Sequence, residues 1–409
     1  MQSPNRLPRA ARLPEPDAAA HAASGALTAL IRHQIDSAGG AISFARYMEL
    51  ALYTPGLGYY SGGAARFGAT GDFVTAPEIS PLFGRTLARQ AAEVMVASAP
   101  EVMEFGAGSG VLAAQLLQEL ELLGTPCERY QIVELSGALR AQQQATLQQQ
   151  APHLAHRVQW LDSLPAHISG CVIANEVLDA MPAHWVTWRD AAFVFDGAFD
   201  GTLQERCVVW GEAGFTTREQ PASGALREAM RALAGQYKLA DGYTSEINLA
   251  AGAWINALAP RLDQAMLLLI DYGFAAREFY HPQRSSGTLR AHHRHHALDD
   301  PFYLPGLCDL TTHVDFSAVA LAAQDAGLGV DGYTTQAQFL INCGITGLLG
   351  QSNPEQMRSH GALTQQANTL LSPAEMGELF KVLAVSHGLD QRLGEAWRGF
   401  SAGNRIHTL

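Results

Sequence analysis

Residues 102–110 (VMEFGAGSG) combine one acidic side chain with three glycines at alternate positions. Glu104, Gly106, Gly108 and Gly110 spell E-x-G-x-G-x-G, which departs from the dinucleotide fingerprint G-x-G-x-x-G because Val111 stands where the last glycine belongs. A chain turning from a parallel strand into a helix passes so close to a ligand that side chains would collide with it, so glycines clear the space. Amides at the start of the following helix face that ligand, and an acid two places before the first glycine suits a cationic group. The combination points to S-adenosylmethionine rather than NAD. A tight strand-to-helix turn with no ligand is the plainer alternative.

The flanking elements fit a nucleotide-binding sheet. Val111 to Leu123 reads as an amphipathic helix with Leu112, Leu116, Leu117, Leu120 and Leu123 on one face and Gly124 to end it. Strand two is expected over Tyr130 to Glu134. Glu134 falls 24 positions after Gly110, near the roughly 20-residue spacing at which an acid takes a ribose hydroxyl. Ser136 is placed to cap a helix running to Gln150. Strand three is expected over Val158 to Leu161, ending in Asp162 and Ser163, and strand four over Gly170 to Asn175. Strand five is expected over Ala265 to Ile270, ending in Asp271, Tyr272 and Gly273. Ligands in such sheets bind beyond the carboxyl ends of the strands, which puts Glu104, Glu134, Asp162, Ser163, Asn175 and Glu176 on one rim. For Asp162, a turn-forming role competes with an adenine contact.

Glu176 and Asp179 stand at i and i+3 just past strand four. A helical turn there would put both carboxylates on one face, able to clamp a guanidinium through two oxygens and to assist its proton loss. The competing reading has Asn175 and Asp179 order the loop before Met181 and Pro182. Asp72, Thr75, Glu78 and Ser80 are candidates for a lid over the cofactor or a wall of the acceptor channel, or for an ordered structural loop. His313 is a candidate substrate or general-base contact, with a hydrogen-bonded structural role as the alternative. His292, His293, His295 and His296 lack metal-site spacing and read as a solvated loop, so no metal is expected.

At 409 residues, with 47% hydrophobic and 16% charged residues, the chain has the length for one large core plus accessory structure. A net charge of −12 argues against general nucleic-acid binding. Cys127, Cys171, Cys207, Cys308 and Cys343 are scattered, odd in number and without a C-x-x-C pair, which suggests neither a disulfide framework nor zinc. No apolar run reaches the roughly 18–20 residues that span a bilayer, and the start has no apolar signal core, so membrane insertion is not expected. Lys238 and Lys381 are the only lysines, a bias that suggests a GC-rich bacterial genome.

The segment Tyr53 to Tyr60 (YTPGLGYY), Gly71 to Gly84 (GDFVTAPEISPLFG), Ala174 to Pro182 (ANEVLDAMP), and Gly287 to Leu289 with Asp309 to Phe316 (DLTTHVDF) together resemble the MidA-like methyltransferases, which include the mitochondrial assembly factor for respiratory complex I. The resemblance runs from about residue 25 onward. It implies a class I, Rossmann-like α/β fold binding S-adenosylmethionine. For the mitochondrial member it implies arginine methylation of a complex I subunit. Carried to this chain, it implies a protein substrate and a bacterial cytoplasmic setting, or the mitochondrial matrix if the source is eukaryotic. A small-molecule methyltransferase and a non-catalytic assembly chaperone are the rival readings, and a nicotinamide oxidoreductase is a more distant one.

The expected organisation is a disordered tail over 1–24, a helical lid region over 25–98, and the first half of the core over 99–180. An inserted meander and helices follow over 181–262, then the second half of the core with a helical accessory layer over 263–409. Within the insertion, Trp185 to Trp188, Ala192 to Phe195 and Glu205 to Trp210 alternate as short strands, with turns at Asp196-Gly197 and Asp200-Gly201. Helices are expected over Ala225–Leu239, Leu249–Leu262, Ser317–Ala326, Met357–Leu371 and Pro373–Ser386, and the last strands over Val330–Tyr333 and Arg405–Leu409.

Overall fold

The structure, a computed structural model, describes residues 16–62, 74–190, 201–351, 357–389 and 396–409. Four helices come first: α1 (Ala18–Ser37), α2 (Phe44–Tyr53), the single turn α3 (Ala76–Ile79) and α4 (Pro81–Ala97). Helix α1 starts at Ala18, capped by the Asp17 side chain, so regular structure begins inside the segment expected to be a tail. The nucleotide-type unit follows as β1 (Glu101–Phe105), α5 (Val111–Leu122), β2 (Arg129–Val133), α6 (Gly137–Gln150), β3 (Val158–Leu161) and β4 (Ile168–Asn175). Ser136 caps α6 through Leu139, as its position predicts.

The insertion after β4 comprises β5 (His184–Arg189), β6 (Thr202–Gly211), β7 (Gly214–Pro221), α7 (Gly224–Gln236), β8 (Thr244–Ile247) and α8 (Leu249–Leu258). Its four strands form an antiparallel sheet ordered β7-β6-β5-β8. The strand expected at Ala192–Phe195 and the residues of its flanking turns up to position 200 lie outside the described residues. The chain returns to the main sheet as β9 (Leu262–Phe274) and passes through α9 (Ala276–Phe279). It then builds a small three-stranded sheet from β10 (Arg290–His293), β11 (His296–Leu298) and β12 (Asp309–Thr311). The histidine run thus forms a hairpin whose turn residues, Arg294 and His295, both take left-handed φ values of 47° and 65°, the pattern of a type I′ turn. Then come β13 (Val314–Asp315), α10 (Phe316–Asp325), β14 (Gly329–Thr335), α11 (Gln336–Asn342), α12 (Ile345–Gly350), α13 (Met357–Leu371) and β15 (Phe380–His387).

The main sheet runs β14-β15-β9-β4-β1-β2-β3. Its strands from β9 to β3 are parallel, and β15 enters antiparallel between β14 and β9. One face buries Leu87, Leu116, Ile132, Leu268 and Phe339 under the α4, α5 and α11 layer. The other buries Met103, Val172, Leu267, Ile255 and Phe316 under α8 and α10. This is the doubly wound α/β arrangement expected from the sequence, with its crevice beyond the carboxyl ends of β1, β2 and β4. Helices α1 and α2 pack on the inserted sheets, where Leu27, Ile31 and Tyr47 meet Val208 and Leu310.

One strand falls elsewhere than expected. The sequence predicts a helix over Pro373–Ser386 and a closing strand over Arg405–Leu409; the structure instead has β15 at Phe380–His387 and a 3₁₀ turn at Ile406–Thr408. All but the last residue of β15 are buried, so its apolar run carries no two-residue alternation and cannot be told from a buried helix by period. Arg405 instead donates its amide to the Tyr333 carbonyl at 2.6 Å, and a short 3₁₀ turn follows beside the edge strand β14.

Candidate functional site

A cleft of about 640 Å³ opens at the carboxyl ends of β1, β2 and β4. Of the candidates, it brings together Glu104, Gly106, Gly108, Glu134, Asn175, Glu176, Thr75 and Glu78. Gly106 and Gly108 adopt φ values of +63° and +50°, the left-handed region that favours glycine. A Cβ on Gly106 would sit 2.9 Å from Val177 Cγ2. The Gly108 carbonyl accepts a bond from Gln143 Nε2 at 3.1 Å, which fixes the turn against α6. Gly110 has a different task from the one expected. It does not line the cleft, and its φ of +83° with Gln143 Cα 3.0 Å from a notional Cβ makes it the close-packing point between α5 and α6.

Glu104 is buried at the foot of the turn, where Tyr130 donates to its Oε2 at 2.6 Å. Burial pushes its carboxyl up to about 7, against the opposing effect of that hydrogen bond. Glu134 accepts from the Ser136 amide at 2.8 Å and from Gln143 Nε2 at 3.3 Å, and burial raises its proton affinity as well. Trp254 of α8 lines the same cleft and meets Phe105 edge-on, with ring centroids 5.1 Å apart. Asn175 Oδ1 is buried with no hydrogen-bond partner. An orphaned acceptor of this kind in a cleft wall fits a ligand bearing N–H donors.

Asp162 and Ser163 do not join the cleft lining. The Asp162 side chain is 88% exposed and pairs with Arg140 at 2.6 Å, which favours the turn-forming alternative. Ser80 caps α4 by accepting from the Leu82 amide at 3.3 Å, and it too lies away from the cleft lining. Thr75 precedes α3 at the cleft wall, and Glu78 accepts from Ser109 of the glycine turn, so this segment is tied directly to the turn. Asp72 lies outside the described residues. His313 is not part of this cleft. It packs between Tyr272 and Phe274 with centroids 5.2 and 5.3 Å away and lines a second cavity. Burial, then Arg284, Arg290 and Lys381, lower its pKa to about 4, which leaves it neutral near pH 7.

The expected helical turn after β4 does not form. Glu176 takes a left-handed φ of 53°, rare for a residue with a Cβ, and residues 177–179 wrap around the Asp271 carboxylate. Asp271 Oδ2 accepts the amides of Val177, Leu178 and Asp179 at 3.2, 2.9 and 3.2 Å, while Oδ1 accepts that of Tyr272 at 2.9 Å. The wrap turns Glu176 into the cleft and sinks Asp179 beneath it, 5% exposed and bonded to Tyr272, so the two carboxylates do not share an open face. Burial, then Asp179, push the Glu176 carboxyl up to about 8, and burial raises Asp179 to about 6. Burial, Asp179 and Glu176 also raise Asp271.

Four contributors have no role legible in the sequence. Asp271 was placed only as the end of strand five, although its position at a strand's carboxyl end, on the ligand rim, was a usable signal. Tyr53 and Tyr60 belong to the segment YTPGLGYY, yet nothing in their spacing shows that Gly58 folds the chain back on α2 to bring them together. Asp309, which accepts from Tyr60 OH at 2.9 Å, comes from a distant strand. The Gly287 to Leu289 motif proves to serve a buried acid: Glu246 accepts the Thr288 amide and hydroxyl and the Leu289 amide, and a Cβ on Gly287 would fall 2.2 Å from Glu246 Oε1.

The left-handed turn gives a direct expectation. Gly108→Val would force a β-branched side chain into that backbone region and into the cleft. Affinity for S-adenosylmethionine, measured by calorimetry, should fall about a hundredfold or more. Unchanged affinity would remove the turn from the cofactor site.

Comparison with known proteins places this geometry. A family model described as "Putative S-adenosyl-L-methionine-dependent methyltransferase" matches residues 86–334. The crystal structure of a Burkholderia thailandensis protein bound to S-adenosyl-homocysteine is 46% identical, covering 97% of this chain and 100% of that one, with a TM-score of 0.90. Among curated proteins, the Danio rerio mitochondrial protein arginine methyltransferase NDUFAF7 is 32% identical over 85% of this chain and 84% of its own length. The Drosophila melanogaster homologue is 30% identical over 92% and 88%.

Proposed function

The chain belongs to the MidA-like family of S-adenosyl-L-methionine-dependent methyltransferases, and from that premise we propose that it methylates an arginine side chain of a protein, a subunit of the respiratory complex I type. The single observation that carries the acceptor reading is the charge of the cleft. Glu78, Glu104, Glu134 and Glu176 line it, and no Lys, Arg or His does so among the described residues. A cationic acceptor is drawn to such an acidic lining, where it can displace a proton from a glutamic acid and pair with the carboxylate, whereas a neutral metabolite gains nothing from that exchange. The two curated relatives named as protein arginine methyltransferases support the same class of acceptor.

Glu104, Gly106, Gly108, Glu134 and Asn175 would hold the cofactor, which when bound supplies an electrophilic methyl group. The remaining work falls to this chain's side chains. A guanidinium stays protonated in water because its pKa exceeds about 12, so the acceptor nitrogen needs a carboxylate that orients it and takes a proton. Glu176 faces the cleft for that task. Its high proton affinity in the resting protein means that an arriving cation displaces a proton from it, and the carboxylate thus formed pairs with the guanidinium. Asp179 sits behind it with Tyr272, a second negative centre that raises the basicity of Glu176 without touching the acceptor.

The test is to incubate the protein with radiolabelled S-adenosylmethionine and candidate complex I subunits, hydrolyse the product and separate the methylated amino acids. Label recovered as methylarginine is the expected outcome. Label confined to lysine or to small molecules would overturn the acceptor assignment. Among the described residues no helix is long and apolar enough to cross a membrane.

A further inference from the structure

The wall of the cleft next to Glu176 is aromatic. Its geometry depends on a chain reversal: Gly58 donates to the Thr54 carbonyl at 2.7 Å, then Tyr59 and Tyr60 donate back to the Ala51 and Leu52 carbonyls of α2 at 3.0 and 2.9 Å. A Cβ on Gly58 would lie 2.6 Å from the Leu52 oxygen, so only glycine permits the reversal. It lays Tyr60 against Tyr53, with ring centroids 5.6 Å apart and planes inclined by 23°. Tyr59 meets Tyr60 edge-on at 5.0 Å, and Tyr60 OH donates to Asp309. Tyr53 OH donates to the Ala180 carbonyl at 2.9 Å, on the same turn that carries Glu176.

Tyr53 is therefore clamped from behind by a stacked ring and at its tip by the Glu176 turn, yet it lines the cleft and remains 41% exposed. We infer that Tyr53 is a specificity-determining residue whose ring forms the face on which the planar guanidinium of the acceptor stacks while Glu176 takes its edge. This inference rests on the arginine reading above and names the part of the site that selects a flat cation over an ammonium. Guanidinium is weakly hydrated, planar and delocalised, so it stacks on an aromatic face more readily than a compact, strongly hydrated ammonium does. Tyr53 cannot act as the base in place of Glu176. Desolvation, then the carboxylates of Asp309 and Asp179, hold its phenol well above the ordinary range, so it stays neutral.

The experiment uses the full chain saturated with S-adenosyl-homocysteine, with N-acetyl-arginine-N-methylamide and its lysine analogue as probes in a binding titration. The wild type is expected to prefer the arginine probe. Tyr53→Phe should bind that probe within about threefold of wild type, and Tyr53→Leu about tenfold more weakly, with S-adenosyl-homocysteine affinity unchanged. Phenylalanines carrying one, two and three ring fluorines at position 53 keep the shape but drain the face of electron density, so affinity should fall stepwise, by about tenfold in total. A flat fluorine series with the arginine preference retained would overturn the stacking role and leave the arginine reading standing. Equal binding of the two probes, or none, would overturn both.

Discussion

Glu176→Gln is expected to abolish the proposed arginine methylation, lowering kcat by about 10³-fold or more, while S-adenosylmethionine binds as it does to the wild type. A positioned general base contributes roughly 10² to 10⁴, and in the proposed reaction the same group would also supply the charge that pairs with the guanidinium. Glutamine copies the shape of the protonated side chain, which is the resting form near pH 7 because burial and Asp179 hold the Glu176 carboxyl at about 8. The variant therefore freezes the state before acceptor arrival. Full turnover in the variant would exclude Glu176 as the base. The same substitution has a second consequence for stability. A glutamate whose folded pKa lies above its unfolded value keeps its proton in the native state while the unfolded chain releases it, so native stability falls as pH rises between about 4.5 and 8. Glu104, held at about 7, acts in the same direction over the lower part of that window. Glu176→Gln should flatten this slope and, since the carboxylate is partly open to the cleft, stabilise the ligand-free protein at pH 8 by about 2 kcal/mol. Chemical denaturation at pH 5 and pH 8 measures the difference. An unchanged slope would mean that Glu176 titrates normally.

The other large effect is expected at Asp271. Asp271→Ala would strand three consecutive amides, the part-buried one of Val177 and the buried ones of Leu178 and Asp179, and release the left-handed Glu176 they hold in place. Leaving buried donors unpaired costs about 1–3 kcal/mol each, partly offset where water enters, so a loss of about 3–5 kcal/mol is expected. Methylation should fall at least a hundredfold even at temperatures where the variant is fully folded, because Glu176 no longer faces the cleft. Asp271→Asn separates the two effects. Its oxygen can still accept amides, so it should recover much of the stability, whereas its NH₂ displaces at least one donor and leaves turnover low. Wild-type turnover in a folded Asp271→Ala would show that the turn keeps its shape unaided.

That Glu104, Gly106, Gly108 and Glu134 line one cleft was legible in the sequence because the pattern is local: the first three follow one another at a strand end, and Glu134 stands at a spacing set by one helix. The acceptor half was not. Glu176 does line the cleft, but its expected partnership with Asp179 rests on a helical turn that Asp271, almost a hundred residues later, replaces with a wrap around its own carboxylate. Gly110 carries the same lesson in miniature. It belongs to the glycine pattern, yet its neighbour is the α6 backbone rather than the cleft, a fact no spacing within the motif contains. His313 stands in a motif of the family, but it packs between the rings of Tyr272 and Phe274 and lines the second cavity rather than this cleft.

Strand β15 has one further consequence, for synthesis. It fills the gap between β14 and β9, pairing with β9 over Phe380 to His387. While a ribosome is still translating the segment before residue 380, the strands from β9 to β3 already exist but β9 has an unsatisfied hydrogen-bonding edge flanked by Leu267, Leu268 and Leu269, an invitation to intermolecular pairing. The nascent chain should therefore lean on holdase chaperones until that stretch emerges. Premature termination between the end of β9 at Phe274 and the start of β15 at Phe380 should yield insoluble product rather than a smaller working enzyme.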